Sequence, residues 1–455
     1  MSNTKKIIYY FALIPVVLIL MLFVWFFTII FEGEKPTISF QPLPEFLSES
    51  RKFTLNISDM KRGLKRLKVS LSQEGREITV LEKKFQFIGF LNCDGVHVFD
   101  TEFIIDPLKL KLSQGRLDLN VSVWDFSRRG GGDGNMTLIH HKMIIDTISP
   151  AIRAISRMHN INKGGSCLVV YQTSSDTQES GLFVNNLFFP GFPAGGETEQ
   201  GIYSCYFAIP YDSTLNPSIY LWAKDRAGNQ AKSSFYHHIR RKRFRKEKMD
   251  ITDKFLDHIL PYFSFYPLDA LESNIAKFLK INNELRKENH KTLLALRQKT
   301  DPKKLWEGRW LRLKNSATKA RFADHRSYYY NGQKVDEQIH LGIDLASLAN
   351  APVQAANHGR VIFADRLGIY GLTVVLDHGQ GLTSMYGHLS KIEMSVDQNV
   401  KKGDIIGFTG RTGLAGGDHL HFSIMVNSIF VNPIEWWDSH WINDNITKRM
   451  ILIKK

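Results

Sequence analysis

Apolar and polar residues follow different patterns in different parts of the chain, and the first pattern is an unbroken apolar run. Residues 7–31, IIYYFALIPVVLILMLFVWFFTIIF, contain no charged residue. About 20 consecutive apolar residues allow an α-helix to cross the hydrocarbon core of a bilayer. The pattern therefore predicts a transmembrane helix, so that residues 1–31 make up a cytoplasmic tip and a membrane anchor.

The residues that flank this run indicate whether the helix is retained and which way it faces. The sequence FTIIFEGEKP lacks the small-residue A-x-A pattern of a signal-peptide cleavage site. Lys5 and Lys6 precede the run, whereas Glu32 and Glu34 follow it. Because positive charge stays on the cytoplasmic side, we expect an uncleaved, single-pass anchor in the inner (cytoplasmic) membrane, with the bulk of the chain in the periplasm.

Residues 36–240 alternate between apolar and polar positions in short runs such as KFTLNIS and LDLNVSVWD. Alternation with a period of two is typical of half-buried β-strands. The segments VSVWDFSRRGGGDGN (121–135) and YLWAKDRAGN (220–229) both run from such a strand into an aspartate and then a Gly-Asn turn. This repeat predicts tandem immunoglobulin-like β modules at 36–147 and 148–240. A single larger β-sandwich is the alternative.

The periodicity changes after residue 249, where ALESNIAKFLKINNELRKENHKTLLALRQK places apolar residues at helical spacing. The preceding run RRKRFRKEK (240–248) is strongly basic, and the chain carries a formal net charge of +14. Such charge favours nucleic acid, lipid headgroups or acidic wall polymers as partners. The predicted topology argues against nucleic acid. We therefore interpret residues 241–305 as a basic and helical linker. Its basic run is expected to be solvated, with contact of the run to anionic lipid or wall polymer as the alternative.

Composition indicates a folded chain, since 43% of its 455 residues are hydrophobic and 23% are charged. At this length several domains are expected. The chain has only three cysteines, which excludes a dense disulfide framework. Cys167 and Cys205 fall in the same predicted β module, and the sequence leaves open whether they form a single bridge.

Two histidines interrupt an otherwise apolar strand pattern in GDHLHFSIMV (417–426). Side chains at positions i and i+2 of a strand point to the same face, so His419 and His421 are expected side by side. A solvated strand face would explain this pair alone. Upstream, QIHLGIDLAS contains His340 and Asp344, and GLTSMYGHLS contains His388. Histidine and aspartate are ligands that zinc favours, and the five residues together predict a metal site.

Five segments in this part of the chain resemble the lysostaphin-like (LytM-type) zinc endopeptidases, which cleave peptide cross-links in peptidoglycan. The segments occur in the family's order between residues 306 and 436: FADHRSYYYNGQKVDEQIHLGIDLA, GRVIFADR, VVLDHGQGLTSMYGHLS, VKKGDIIGFTGRTGLAGGDHLHFSIMVN and NPIEWW. The sequence departs from the family at Ala323 and Asp324, where a glycine commonly follows the phenylalanine. This departure concerns the contour of the cleft wall and leaves the metal residues unchanged.

The resemblance implies that His340, Asp344 and His421 hold Zn²⁺, and that His388 and His419 are catalytic residues on the open side. Three protein ligands leave a position for water, whose pKa the metal lowers. The two further histidines would then orient that water and stabilise the tetrahedral intermediate.

The expected fold is mainly β, with an N-terminal transmembrane helix, tandem immunoglobulin-like β-sandwich modules, a short helical linker and a C-terminal antiparallel β metallopeptidase domain. The last domain is expected at 306–440, followed by a tail at 441–455. The expected function is that of a membrane-anchored zinc endopeptidase acting on peptidoglycan cross-links, with unidentified envelope or division proteins as further partners. The alternative is a catalytically silent scaffold of this fold, or an activator of another cell wall hydrolase.

Overall fold

The apolar run folds as helix α1 (Asn3–Ile30) in the computed structural model, which describes residues 3–194 and 201–454. Its segment Leu13–Ile30 has a mean hydropathy of 2.9, and none of this segment is buried within the protein. By length and composition, α1 can therefore cross a membrane. The described residues divide into two compact units, 1–149 with 226–229 and 150–225 with 230–455.

The first unit contains a β-sandwich with one hydrophobic core. Its strands are β1 (Thr37–Gln41), β2 (Phe46–Leu47), β3 (Arg51–Ser58), β4 (Leu64–Gln73), β5 (Arg76–Lys84), β6 (Val98–Ile105), β7 (Gly115–Asp125) and β8 (Met136–Ile145). One sheet has the order β1, β3, β6, and the other has the order β2, β8, β7, β4, β5. Alternate residues of β7 are buried, and they pack against β3 in a shared core. The period of two thus places one face of each sheet inside.

The second unit begins with another pair of sheets. Its strands are β9 (Ile152–Ala154), β10 (His159–Asn162), β11 (Ser166–Thr173), β12 (Thr177–Val184), β13 (Leu187–Pro190), β14 (Phe192–Pro193), β15 (Ile202–Ala208), β16 (Ile219–Asp225), β17 (Gln230–Ser233) and β18 (His237–Arg240). The sheets have the orders β14, β15, β11, β9 and β13, β12, β16, β17, while β10 pairs with β18. Cys167 and Cys205 are both buried here as free thiols. The module bounds 36–147 and 148–240 stay a prediction.

The sequence repeat has a structural basis in the turns that follow two equivalent strands. Asp125 ends β7 and Asp225 ends β16, and both residues have an exposed fraction of 0%. Nδ2 of Asn135 donates to the backbone carbonyls of Glu32 and Glu34, which follow α1. Nδ2 of Asn229 donates to the carbonyl of Asp146 at 2.9 Å. Each asparagine thus ties its turn to an earlier chain segment.

A strand and three helices connect the second pair of sheets to the C-terminal domain. They are β19 (Lys246–Ile251), α2 (Asp253–Ile259), α3 (Asn274–Lys280) and α4 (Arg286–Leu296), and a π-helical turn at Ile281–Leu285 joins α3 to α4. The side chains of Thr252 and Ser273 cap α2 and α3 by accepting backbone N–H groups at 3.2 Å and 3.3 Å. The helical pattern predicted after residue 249 is therefore present.

Part of the basic run is structured as a strand, which its interpretation as a solvated linker did not predict. β19 pairs in parallel with a strand of the C-terminal domain that begins at Asp324. Nη2 of Arg245 lies 2.6 Å from Oδ2 of Asp324, which is only 1% exposed. The run supplies a strand partner and a countercharge for a buried carboxylate, and neither can be seen in a local charge pattern.

The C-terminal domain is built on a large, mainly antiparallel sheet. Its strands are β20 (Ala317–Ala320), β21 (Asp324–Tyr330), β22 (Gln333–His340), β23 (Ile343–Ala346), β24 (Pro352–Gln354), β25 (Gly359–Arg366), β26 (Leu372–Asp377), β27 (Leu382–Ile392), β28 (Asn399–Val400), β29 (Ile405–Thr409), β30 (Leu420–Val426) and β31 (Ile429–Val431). The central order is β20, β23, β30, β27, β26, β25, β28, and β21 and β22 form a smaller sheet with β19. Three short helices follow: α5 (Ile434–Trp437), α6 (Ser439–Ile442) and α7 (Lys448–Met450).

Candidate active site

The end of β22 and three adjacent strands of the large sheet bring the predicted histidines and aspartate together. β30 lies between β23 and β27, and in this register both Asp344 and Gly387 are opposite His421. His340 is the last residue of β22, just before the turn into β23. His388 follows Gly387 on β27. Strand pairing therefore assembles residues that are up to 81 positions apart in the chain.

The side chains of His340, Asp344 and His421 form a closed triangle. Nε2 of His340 lies 2.8 Å from Oδ1 of Asp344 and 3.1 Å from Nδ1 of His421. Nδ1 of His421 lies 2.9 Å from the same Oδ1. All three residues are buried. Each offers one potential ligand atom, and these atoms are close enough together to hold a single metal ion.

Hydrogen bonds on the far side of each ring determine which nitrogen carries the proton. Nδ1 of His340 donates to the carbonyl of Arg321 at 2.9 Å, which leaves Nε2 bare in the neutral ring. Oγ of Ser423 donates to the carbonyl of Leu341 at 2.7 Å and therefore accepts Nε2–H of His421 at 3.0 Å. His421 thus presents a bare Nδ1. Two bare nitrogens facing one carboxylate oxygen repel each other unless a cation lies between them.

Arg326 holds the carboxylate of Asp344 from outside the triangle. Its Nη2 donates to Oδ2 of Asp344 at 3.1 Å, and its Nε donates to Oε2 of Glu247 at 3.2 Å. Burial acts to raise the pKa of Asp344, but His340 and His421 outweigh burial and hold the pKa well below its usual range. Asp344 is therefore an ionised group with Oδ1 turned toward the imidazoles.

Gly342 lets the ring of His421 approach the turn between β22 and β23. A Cβ atom at this position would lie 2.5 Å from Nε2 of His421 and 2.6 Å from Oγ of Ser423. Both separations are well inside van der Waals contact. Any side chain at position 342 would therefore push His421 out of the triangle.

His388 and His419 flank the triangle on its open side. Nδ1 of His388 donates to the carbonyl of Thr412 at 2.8 Å, and Nδ1 of His419 donates to the carbonyl of Gly417 at 2.8 Å. Nε2 of His419 lies 3.7 Å from Oδ1 of Asp344. The ring centroids of the two histidines are 4.8 Å apart. Both rings therefore keep Nε2 for a ligand.

His388 occupies an uncommon backbone conformation and a buried position. Its φ of 60° lies in the left-handed region, which non-glycine residues seldom adopt outside functional sites and turns. Burial lowers the pKa of His388 well below its ordinary value, and the charges of His419 and His421 act in the same direction. Burial also lowers the pKa of His421 to about 4, although Asp344 opposes this. Both rings are neutral at pH 7.

A cavity of about 310 Å³ opens above the five predicted residues and extends to the linker. The linker residues that line it are Met249, Asp250, Ile251, Phe255, Phe278 and Arg286. The C-terminal domain adds Arg326, Tyr370 and Leu414. The site is therefore shared between the large sheet and chain segments that precede it by more than fifty residues.

The structure brings all five predicted residues to one cavity, and their metal-binding and catalytic roles stay predictions. Sequence reasoning did not single out Arg326, Ser423 or Arg286. Arg326 was detectable, because it lies in FADHRSYYY on a strand next to the one that ends at His340. Ser423 was detectable as the i+2 neighbour of His421. Arg286 has no local pattern that marks it, since only tertiary packing brings α4 to the site.

Comparisons with known proteins match the part of the chain that contains this site to a known family. Residues 338–433 match the family described as Peptidase family M23. The DD-carboxypeptidase/endopeptidase Mpg of Neisseria meningitidis serogroup B is 39% identical over 97 residues, which are 21% of this chain and 22% of that protein. The murein hydrolase activator EnvC of Escherichia coli is 36% identical over 107 residues, 24% of this chain and 26% of that protein.

Among solved structures, a zinc containing peptidase from Vibrio cholerae aligns with 70% of this chain and 80% of its own, at 16% identity and a TM-score of 0.26. The chain spans about a quarter or less of the length of the two curated relatives named above. The likeness to these relatives therefore concerns one domain.

Proposed function

We propose that this chain, which carries a Peptidase M23 domain at residues 338–433, is a membrane-anchored zinc endopeptidase that hydrolyses peptide cross-links in peptidoglycan. The main observation that supports this function is the triangle of His340, Asp344 and His421, with the Nε2 atoms of His388 and His419 beside it. A relative of the domain is named a DD-carboxypeptidase/endopeptidase. That name supports a peptide as the substrate class, and the relative named a murein hydrolase activator supports the cell wall as its source.

The donor set fits zinc. Two neutral imidazoles and one carboxylate are ligand types of catalytic zinc sites, which keep a further position for water or substrate. Hydrogen bonds from Arg326, and to Ser423 and the carbonyl of Arg321, orient the three ligands from outside, as the partners of metal ligands commonly do. When bound, zinc supplies Lewis acidity toward the peptide carbonyl and lowers the pKa of the attacking water.

His388 and His419 would hold and move protons at Nε2. The Nδ1–H of each ring is used by a carbonyl, so a neutral ring offers its Nε2 lone pair to a proton of the attacking water. Once protonated, the ring donates Nε2–H to the tetrahedral oxyanion or to the leaving amine. The lowered pKa of His388 supports a neutral ring at the start of this sequence.

We propose α1 as the single span of the inner membrane, with the chain after residue 31 in the periplasm. Its length, its hydropathy and the lysines before it support this orientation. The β modules at 36–147 and 148–240 and the linker at 241–305 would then carry the peptidase domain at 306–440, with its tail at 441–455, toward the wall.

A catalytically silent scaffold or an activator of another cell wall hydrolase is the second candidate. It is favoured by the relative that is named a murein hydrolase activator. The presence of all five site residues favours the enzyme. Zinc content does not distinguish the two functions, because a silent site can also bind metal. Measured turnover of peptidoglycan does distinguish them.

The test uses the full chain, purified in detergent and incubated with purified peptidoglycan, with released fragments identified by mass spectrometry. If the chain is the proposed enzyme, the zinc-loaded protein should release fragments with newly cleaved peptide cross-links, and a chelator should abolish their release. A zinc-loaded protein that releases no such fragments would contradict the proposed enzyme and support the scaffold.

A further inference from the structure

Arg286 is a cation in the cavity wall with no acidic partner in the parts of the chain that the structure describes. The other guanidinium in the wall, that of Arg326, is paired with Asp344 and Glu247. The acidic wall residue Asp250 pairs with a lysine of its own strand at 3.1 Å. The wall therefore carries one uncompensated positive charge, and this charge is on Arg286.

The guanidinium of Arg286 is held in place before any ligand arrives. Its Nε donates to the carbonyl of Asn282 at 3.0 Å, and its Nη2 donates to Oδ1 of the same residue. Asn282 has an exposed fraction of 0%, and its Nδ2 donates to Oδ2 of Asp336 at 2.7 Å. A guanidinium has five N–H donors, so those of Nη1 are available to a ligand. Because the side chain is already ordered, binding costs little additional conformational entropy.

Helix α4 is itself held against the loop that contains Ile369, close to His421. Oδ1 of Asn289 accepts the backbone N–H of Ile369 at 2.9 Å. The next residue, Tyr370, packs against His421 with a ring-centroid distance of 5.3 Å. Helix α4, which carries Arg286, therefore lies beside the loop that contacts His421, and Arg286 and His421 line the same cavity.

We infer that Arg286 forms a carboxylate-binding subsite. This subsite binds a free carboxylate of the peptide substrate in the cavity that also contains the triangle of His340, Asp344 and His421. Arginine binds carboxylates through charge-assisted hydrogen bonds, often two in parallel. The subsite rests on the proposed function, because that function supplies the peptide. Residue 286 lies outside the matched range 338–433, so the linker contributes this subsite to the M23 domain.

A wall peptide can present this carboxylate from two sources. One is the C-terminal carboxylate of a peptide that ends in D-alanyl-D-alanine. The other is the α-carboxylate of an internal residue that is joined to the next through its side chain. Three synthetic fluorescent peptides separate them: a parent with both carboxylates, one with a C-terminal carboxamide, and one with the internal carboxylate converted to an amide.

The experiment measures binding of each peptide to the metal-depleted full chain in detergent by fluorescence anisotropy, and cleavage of each by the zinc-loaded chain. Arg286→Gln removes the charge, and Arg286→Lys keeps it without the forked geometry. Lys287→Gln is the matched control, since it removes one charge from the adjacent, exposed position of α4. Thermal unfolding verifies that each variant is folded.

We expect the wild type to bind the parent about tenfold more tightly than one of the two amidated peptides, as a charge-assisted contact predicts. Arg286→Gln should lose this preference, Arg286→Lys should retain part of it, and Lys287→Gln should leave it intact. For cleavage, the loss should fall on KM and not on kcat. The amidated peptide that loses affinity identifies the source of the carboxylate.

The inference is overturned if the folded wild type binds all three peptides equally, or if Arg286→Gln weakens all three to the same extent. Binding is measured without turnover, so failure of the proposed function is distinguishable. Arg286-dependent binding without cleavage would keep the subsite and reject the hydrolase. Cleavage without any preference would keep the hydrolase and reject the subsite.

Discussion

Among single residues, His388 combines a left-handed backbone with a buried imidazole. A φ of 60° costs a non-glycine residue on the order of 1 kcal/mol. His388→Ala and His388→Gly both remove the ring, but only the alanine variant keeps this strain. We expect the glycine variant to be more stable by about 1 kcal/mol, seen as a higher unfolding midpoint. An alanine variant of equal or greater stability would show that the backbone at 388 is unstrained.

Gly342 gives a second test at this scale, because a methyl group there would displace His421. We expect Gly342→Ala to weaken zinc binding by about tenfold or more, as disturbed metal-ligand orientation typically does. Competition with a chromophoric chelator measures this affinity. Gly416→Ala is the control, since the nearest atom to its added Cβ is 3.8 Å away, in Phe255. Equal zinc affinity in the two variants would argue that His421 does not need its observed position.

Residue type and spacing were sufficient to select five residues that the structure brings to one cavity, because histidine and aspartate have few reasons to interrupt apolar strands. The residues that orient them were harder to predict. Arg326 depends on pairing between β21 and β22, and Arg286 depends on the packing of α4. The departure at Ala323 preserves the local turn, since Ala323 itself adopts a φ of 61°. This is the conformation that a glycine would favour.

Among secondary-structure elements, α5 is joined to the second pair of sheets through one buried carboxylate. Glu435 is 5% exposed and accepts Nδ2 of Asn162 at 2.9 Å and the backbone N–H of Ser166 at 3.0 Å. Burial raises the pKa of Glu435 to about 7 and outweighs the lowering effect of these hydrogen bonds. The contact between these elements is therefore sensitive to pH near neutrality.

The sign of this effect follows from the two pKa values. The pKa of Glu435 rises from 4.5 to about 7 on folding, so folding favours the protonated form. Its stabilising contribution is fully present below pH 4.5 and is lost as the pH rises through 7. The contribution amounts to roughly 3 kcal/mol at most. We expect the unfolding midpoint of the wild type to fall between pH 5 and pH 8 relative to that of Glu435→Gln. Parallel pH profiles would contradict this account.

Some elements were predictable and others were not. The alternation in LDLNVSVWD predicted β7, because a strand buried on one face needs that pattern. The helical spacing after residue 249 predicted α3 and α4. β19 was missed because KEKMDI has a charged, irregular pattern, and its strand conformation depends on pairing with β21. Non-local pairing is the information that a single sequence does not carry.

For the molecule as a whole, the predicted membrane topology is open to direct test. Positive charge before α1 and negative charge after it favour export of everything beyond residue 31. We expect a reporter that functions only outside the cytoplasm to be active when fused after residue 455. Deletion of residues 7–31 is the control and should abolish that activity. A reporter that is active only in the cytoplasm would contradict the wall-enzyme proposal.

The location of the site within the chain was predictable, but the full extent of its cavity was not. The M23 segment contains its own motif, and a motif of consecutive residues can be recognised in the sequence without the structure. The cavity also depends on linker residues between 249 and 286, which line it together with residues of strands that come later in the chain. The residues proposed to hold the metal are therefore visible in the sequence, whereas the linker residues that line the cavity are not.

We propose that His421 is a metal ligand and that His419, two residues away, acts on the substrate. His421→Ala removes one corner of the triangle, so zinc content and peptidoglycan cleavage should fall together. His419→Ala leaves His340, Asp344 and His421 in place, so zinc should remain near stoichiometric while cleavage falls by about a hundredfold or more. His388→Ala should behave like His419→Ala.

Elemental analysis of the purified full chain, set beside mass-spectrometric assay of peptidoglycan cleavage by the same samples, is the most direct test of this claim. We expect loss of both zinc and cleavage in His421→Ala, and loss of cleavage alone in His419→Ala. Zinc retained in His421→Ala and lost in His419→Ala would contradict it.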